Sequence, residues 1–292
     1  MKKVILFYKF VPLSDPEMVM RWQRELCGRL ELKGRIIISP HGINGTLGGN
    51  VKSLRQYKSQ MNISGIFRGI KYKWSEASGR EFPRLSVKVR PELVAFQKPD
   101  EIEVGARGIK NGGKHLKPKA VHELVEKYGN DVVFFDGRNK YEAEVGRFKN
   151  AVVPDIKNTR DFAREIDSGK YNNIKDKKVV TYCTGGIRCE VLTVMMKNRG
   201  FKDVYQIDGG IVTYGEQYGD DGFWEGSLYL FDGRMNQKFS AGAKDIADCI
   251  HCADKTSNFE NCADVSCNRL VIICESCKEI KPLCENHQSA RV

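Results

Sequence analysis

The 292-residue sequence has no apolar stretch approaching the roughly 20 residues that cross a bilayer, which argues against a membrane-spanning helix. Its start, MKKVILFYKFVPLSD, carries two lysines and a short apolar run, but Tyr8 and Lys9 interrupt that run and no small-residue cleavage site follows. A strand fits this segment better than a signal peptide, and a cytoplasmic protein with no membrane partner is the expectation. Cysteine is nearly absent before residue 249: only Cys27, Cys183 and Cys189 precede seven cysteines between Cys249 and Cys284. That distribution excludes a disulfide framework for the whole chain and points to a reducing compartment with a metal-bound tail. A dinucleotide site is missing too, since GARGIKNGG lacks the strand, turn and helix that a flavin or nicotinamide fingerprint needs. No repeat or low-complexity block is visible.

What is present is a basic excess confined to one end. Residues 1–115 hold 22 Lys and Arg against 10 Asp and Glu, residues 116–240 hold 20 against 19, and residues 241–292 hold 6 against 8, which accounts for the net charge of +11. Such asymmetry suggests a polyanion-binding module beside a near-neutral one. The length itself suits more than one core.

The first hundred residues read as strand, helix, strand, turn, strand, helix, strand. KVILFYKFV is the first strand; Ser14 and Glu17 form a capping-box pattern, Pro16 suits a first turn, and Val19, Trp22, Leu26 and Leu30 recur at helical spacing. RIIIS is a buried strand, GINGTLGG a glycine-rich turn, and VKSLRQYKSQM a second helix. This order matches a ferredoxin-like (acylphosphatase-like) α+β unit over residues 1–100. Residues 101–118 have linker composition. From 119 the pattern alternates helix and strand, with DVVFFD, KKVVTYC and DVYQIDGG as strands, predicting a parallel α/β sheet over residues 119–225 with its site in the loops after the strands. Residues 226–292 form the cysteine-rich tail.

One such loop stands out. In VVTYCTGGIRCEVL, Cys183 ends a strand, Thr184, Gly185, Gly186 and Ile187 turn the chain, and a helix opens near Arg188 and Cys189. Converging backbone N–H groups and a helix N-terminus stabilise an anion there, and Arg188 adds positive charge, so Cys183 is expected to be a thiolate nucleophile. Cys189 either resolves a sulfur species formed on Cys183 or packs in the first helical turn. His115 and His122 read as surface or capping residues, and Cys27 as core.

The tail offers four pairs: Cys249 with Cys252, Cys262 with Cys267, Cys274 with Cys277, and Cys284 with His287. Eight ligands in close pairs suit two structural zinc ions, an Fe–S cluster being the alternative, and His251 competes with His287 as the nitrogen ligand. In the basic module, Arg68, Lys71, Lys73 and Trp74, with Asn44 from GINGTLGG, are candidates for phosphate contact and base stacking. The competing reading places Tyr72 and Trp74 in the core, with the lysines outside.

CTGGIRCE, preceded by Asp136 and Arg138 after a strand and followed by IDGGIVTYGE, resembles a rhodanese domain. GINGTLGG before it, and FWEGSLYLFDGRM with the cysteine-rich end after it, extend the resemblance over nearly the whole chain to the rhodanese-related tRNA uridine hydroxylase family. The resemblance implies hydroxylation of C5 of the wobble uridine in the tRNA anticodon loop, with molecular oxygen as co-substrate and Cys183 as the active-site cysteine. One position departs: the family usually has Glu before GINGT, where this chain has His41. A sulfurtransferase working through a Cys183 persulfide, and a non-catalytic zinc-bearing RNA-binding module, are the competing readings. Oligomeric state, electron donor and tRNA isoacceptors are not legible in the sequence.

Overall fold

The structure, a computed structural model, describes residues 1–267, 269–279 and 282–288. Its first unit is a sheet with two helices on one face: β1 (Lys2–Phe10), α1 (Pro16–Arg29), β2 (Lys33–Ser39), β3 (Gly42–Asn50), α2 (Val51–Ile63), β4 (Lys73–Ala77) and β5 (Leu85–Val89), in the order β4-β1-β3-β2-β5. The first four strands are antiparallel and β5 adds to β2 in parallel, giving the ferredoxin-like arrangement expected. Two local readings change. The cap of α1 is Asp15, whose side chain accepts the Met18 N–H at 2.8 Å, one residue after Ser14 and directly before Pro16. GINGTLGG is no turn but β3, a central strand. Its glycines answer to packing: a Cβ on Gly45 would come within 2.5 Å of the Phe7 ring.

Strand alternation gives this sheet two different faces. Ile5 and Phe7 bury with Leu26, Leu54, Tyr57 and Phe67 beneath the helices, and Tyr72 and Trp74 lean on the same core. Tyr8 and Phe10 point the other way and pack against the second unit, where Phe10 joins Leu93, Phe96 and Phe162.

The second unit begins earlier than composition suggests. Within the expected linker, β6 (Val104–Gly105) and β7 (Gly108–Ile109) form a hairpin, and β8 (Lys114–Leu116) is the edge strand of the middle sheet. There follow α3 (Pro118–Tyr128), β9 (Val132–Asp136), α4 (Lys140–Glu144), β10 (Gly146–Phe148), α5 (Phe162–Asp167), β11 (Lys178–Tyr182), α6 (Ile187–Asn198), β12 (Asp203–Ile207) and α7 (Gly210–Tyr218). The sheet β8-β12-β11-β9 is parallel throughout and buried on both sides. Phe135, Val179 and Val204 lie under α5 and α6, while Phe134, Val180 and Ile207 lie under α3 and α7.

The tail is built from short antiparallel pairs, Ala247–Asp248 with Lys255–Thr256 and Phe259–Asn261 with Leu270–Ile272. Among the described residues, no helix is long and apolar enough to cross a membrane.

Candidate active site

Cys183 follows the last residue of β11, at the carboxyl edge of the middle sheet. The Gly186 N–H donates to its Sγ at 3.2 Å. The first turn of α7 ties the loop from the other side, Ile211 N–H donating to the Cys183 carbonyl at 2.9 Å and Val212 N–H to that of Thr184 at 3.1 Å. Burial by itself raises the thiol pKa. The Cys189 thiol, the Arg188 charge and the N–H groups of Cys189 and Gly186 outweigh it and bring the pKa to about 5, so the sulfur is a thiolate at neutral pH. Cys189 is fully buried, and burial together with the neighbouring Cys183 anion pushes its own thiol upward, which keeps it protonated as a donor to that anion.

Arg188 is not a free cation. It is buried and holds Glu142 through a two-pronged pair at 2.6 and 2.8 Å, with Thr184 Oγ1 at 3.3 Å. Glu142, fully buried, also accepts from the Asn139 backbone N–H as the return half of a capping box at the start of α4. Sequence reasoning missed Glu142, although the Asn139-x-x-Glu142 spacing is that motif's signature. Behind it, Arg138 and Asp136 are both fully buried and joined at 2.6 Å, with Arg138 also donating to the Gly146 carbonyl at 2.6 Å and facing the rings of Tyr182 and Trp224. The loop therefore rests on a frame of paired charges with little freedom to relax.

The thiolate is not open to solvent. Cys183 is 1% exposed, because the outward face of the first sheet covers the loop. A Cβ on Gly185 would meet Leu6 at 2.6 Å and one on Gly186, which has φ +99°, would meet the Tyr8 hydroxyl at 3.0 Å, so both glycines permit this contact. The Tyr8 hydroxyl donates to Glu190 at 3.0 Å. His115 reaches Glu190 at 3.4 Å, and that bond holds its imidazole pKa above the ordinary value; it is exposed, as expected, with Glu190 and Gln206 on its inner side. His122 likewise packs, stacked on Tyr218 and bonded to the Tyr214 hydroxyl at 2.8 Å. Cys27 is core, as expected.

Two cavities flank the covered loop. The larger, about 580 Å³, is lined among others by Lys73, Trp74, Thr184, Glu216, Phe231 and Arg234; the smaller, about 450 Å³, by Tyr8, Lys71, Lys73, Arg107, His115 and Glu190. Lys71, Lys73 and Trp74 are thus brought to the loop, with Lys71 paired to Asp208 at 2.8 Å and Trp74 also leaning on the first core. Arg68 and Asn44 line neither cavity: the Arg68 carbonyl accepts from Lys9 and the Asn44 amide bonds the Leu93 carbonyl. His41 sits at the β2–β3 turn, where burial lowers its imidazole pKa, with Glu92 and Asp100 as its charged neighbours.

In the tail the pairs interleave. Cys249 and Cys252 meet Cys274 and Cys277, while Cys262 and Cys267 meet Cys284 and His287, all ligand atoms of each group lying within 4.8 Å of one another. His287, not His251, supplies the nitrogen. The sulfur separations of 3.6 Å between Cys252 and Cys274 and 3.9 Å between Cys267 and Cys284 fit the spacing of about 3.8 Å that tetrahedral thiolates adopt around a zinc-sized ion. Both groups can therefore hold a metal ion.

Comparison with known proteins agrees with each part. Residues 2–93 match the UPF0176 acylphosphatase-like domain, residues 117–217 the rhodanese-like domain, and residues 225–287 the family described as rhodanase C-terminal. A tRNA uridine(34) hydroxylase of Corynebacterium jeikeium is 57% identical over 275 residues, covering 94% of this chain and 89% of the relative. Its counterpart in Corynebacterium diphtheriae is 55% identical over 283 residues, covering 95% and 91%, and that of Kocuria rhizophila 55% identical over 275 residues, covering 94% and 93%. With a likeness of this extent running through all three parts, the chain belongs to the tRNA uridine(34) hydroxylase family.

Proposed function

We propose that this chain hydroxylates C5 of uridine 34 in tRNA, with Cys183 as nucleophile, molecular oxygen as co-substrate and the anticodon loop lying against the basic first unit. The observation that carries this reading is a sulfur held as an anion by the Cys189 thiol, the Arg188 charge and the Gly186 N–H, covered by the first sheet, whose β4 carries Lys73 with Lys71 just before it. Addition of the thiolate to C6 of the base makes C5 electron-rich, ready for an oxygen electrophile. An anticodon loop supplies the unpaired base that such an attack needs. Because Leu6 and Tyr8 cover the loop, admission of the base requires this sheet to shift from the glycines. Cys189 acts as the hydrogen-bond donor that keeps Cys183 ionised. Zinc fits the tail, where two closed sets of four ligands leave no open coordination position and give the ions a structural role. A cytoplasmic location, where the tRNA substrate is found, belongs to the same reading.

The test is mass analysis of tRNA nucleosides from cells that lack the gene and are resupplied with the parent protein or with Cys183→Ser. Hydroxyuridine restored by the parent and absent with the variant is the expected result. Loss of thiolated nucleosides instead would favour a sulfurtransferase, and an unchanged nucleoside profile would favour a non-catalytic RNA-binding module.

A further inference from the structure

Of the cations near Cys183, Arg188 is already matched by Glu142 and Lys71 by Asp208. Lys73 differs. It leaves β4 on the face opposite Tyr72 and Trp74, toward the second unit, and its ammonium lies 3.9 Å from where a Cβ of Gly185 would sit and 5.2 Å from the centre of the Tyr8 ring. Among the described residues it forms no ion pair and no hydrogen bond, and it is a wall of both cavities beside the loop. The charges around it come from three elements besides its own strand: the Cys183 thiolate in the loop, Asp208 after β12 and Glu216 on α7, with Lys71 just before β4. A cation held only over an aromatic ring, at the wall of two cavities beside the loop that carries the nucleophile, is arranged to meet charge that develops during the reaction once the sheet shifts to admit the base.

We propose that Lys73 is a catalytic residue of the uridine reaction, its ammonium bonding O4 of the target uracil and stabilising the enolate formed when Cys183 adds to C6. The proposal rests on the Cys183 reading above. In this step a sulfur lone pair forms the S–C6 bond, the C5–C6 π pair moves to C4–C5, and the C4–O4 π pair moves onto O4, where a Lys73 N–H meets it. Solvent protonation at C5 and loss of a C5 hydrogen run the step backward with expulsion of the thiolate, so the cycle needs no oxidant. Burial lowers the Lys73 pKa, which makes its proton easier to share with that oxygen than one from an exposed lysine. The first unit then supplies part of the active site as well as a surface for RNA.

The cycle can be read directly by placing deuterium at C5 of uridine 34 in a tRNA transcript and following its loss to water, under anaerobic conditions, with the full-length protein. Lys73→Met is expected to slow exchange by about 10²-fold or more while tRNA affinity changes by less than about threefold, and Lys73→Arg to recover part of the rate. Ultraviolet titration of the Cys183 thiolate in each variant reports whether the loop is intact. Exchange by Lys73→Met within about threefold of the parent, or a loss that merely tracks weakened tRNA binding, would overturn the assignment of Lys73 and leave Cys183 untouched. If the parent exchanges no faster than Cys183→Ser, the addition to C6 is wrong and the role of Lys73 falls with it.

Discussion

The two groups of cysteine in this chain hold their sulfur in opposite ways. Cys183 and Cys189 lie between two extensive apolar clusters, and the charge on Cys183 is balanced by peptide N–H groups, a thiol and an arginine that is itself paired. Around its cysteines the tail has only small apolar clusters: one consists of Ile273 with Cys249, Cys274 and Cys277, another centres on Val271 with Cys262 and Cys284, and a third, of Tyr229, Ala247 and Phe259, joins the tail to Val145 of the second unit. A protein interior organised around its own dipoles leaves a sulfur ready to react, whereas the small clusters of the tail place eight ligand atoms where they could hold metal ions, which would take those sulfurs as ligands. On the proposed reading, equal residue type carries chemistry in one place and architecture in the other.

The comparison is tested most severely by exchanging the treatments. Cys183→Ser is expected to lower hydroxyuridine formation by about 10³-fold or more without changing metal content, whereas Cys274→Ser or a strong chelator removes bound metal and loosens the tail while the middle sheet keeps its amide protection. Elemental analysis and hydrogen exchange on the same samples decide it. Next in size, Glu142→Gln leaves the Arg188 guanidinium buried without its counter-charge and should cost about 3–5 kcal/mol in denaturant unfolding.

A titration sharpens the point. The difference in ultraviolet thiolate absorbance between the parent and Cys183→Ser should vanish as pH falls through about 5, and Arg188→Met should move that inflection upward by removing a charge that favours the anion. Since a free thiol titrates near about 8.5, the contribution of the anion to stability is full above that value and is lost as the pH falls through about 5. The smallest effect is expected for Lys71→Ala. If the lysine meets one phosphate, the slope of log affinity for tRNA against log salt falls by about 1 or less.

Much of this arrangement could be read from the order of residues because the signals were local. Two glycines after a strand-ending cysteine specify the loop around Cys183, and alternating apolar runs specify a sheet buried on both faces. The part that escaped depends on distant neighbours. GINGTLGG has turn composition, yet it forms a central strand paired with β1 and β2, where Gly45 leaves room for the tip of the Phe7 ring. Arg188 looked like a cation for the nucleophile, and only the fold brings Glu142, 46 residues away in sequence, against it. Neither the cover formed by Leu6 and Tyr8 nor the position of Lys73 over the Tyr8 ring has a local signature, because both arise where the first sheet meets the second unit. The ligand pairing in the tail was open for the same reason, and the interleaved arrangement settles which residues share a site.

That interleaving governs how the tail assembles. The chain segment closing the group of Cys249 and Cys277 runs through Cys262 and Cys267, and the segment closing the second group runs through Cys274 and Cys277. If both groups take an ion, whichever arrives first shortens the wandering of the segment still to be gathered, so the second capture would begin from a smaller search. Half-filled chains should therefore be scarce, and a cell running short of the ion would carry a mixture of finished and unfinished tails rather than a population of intermediates.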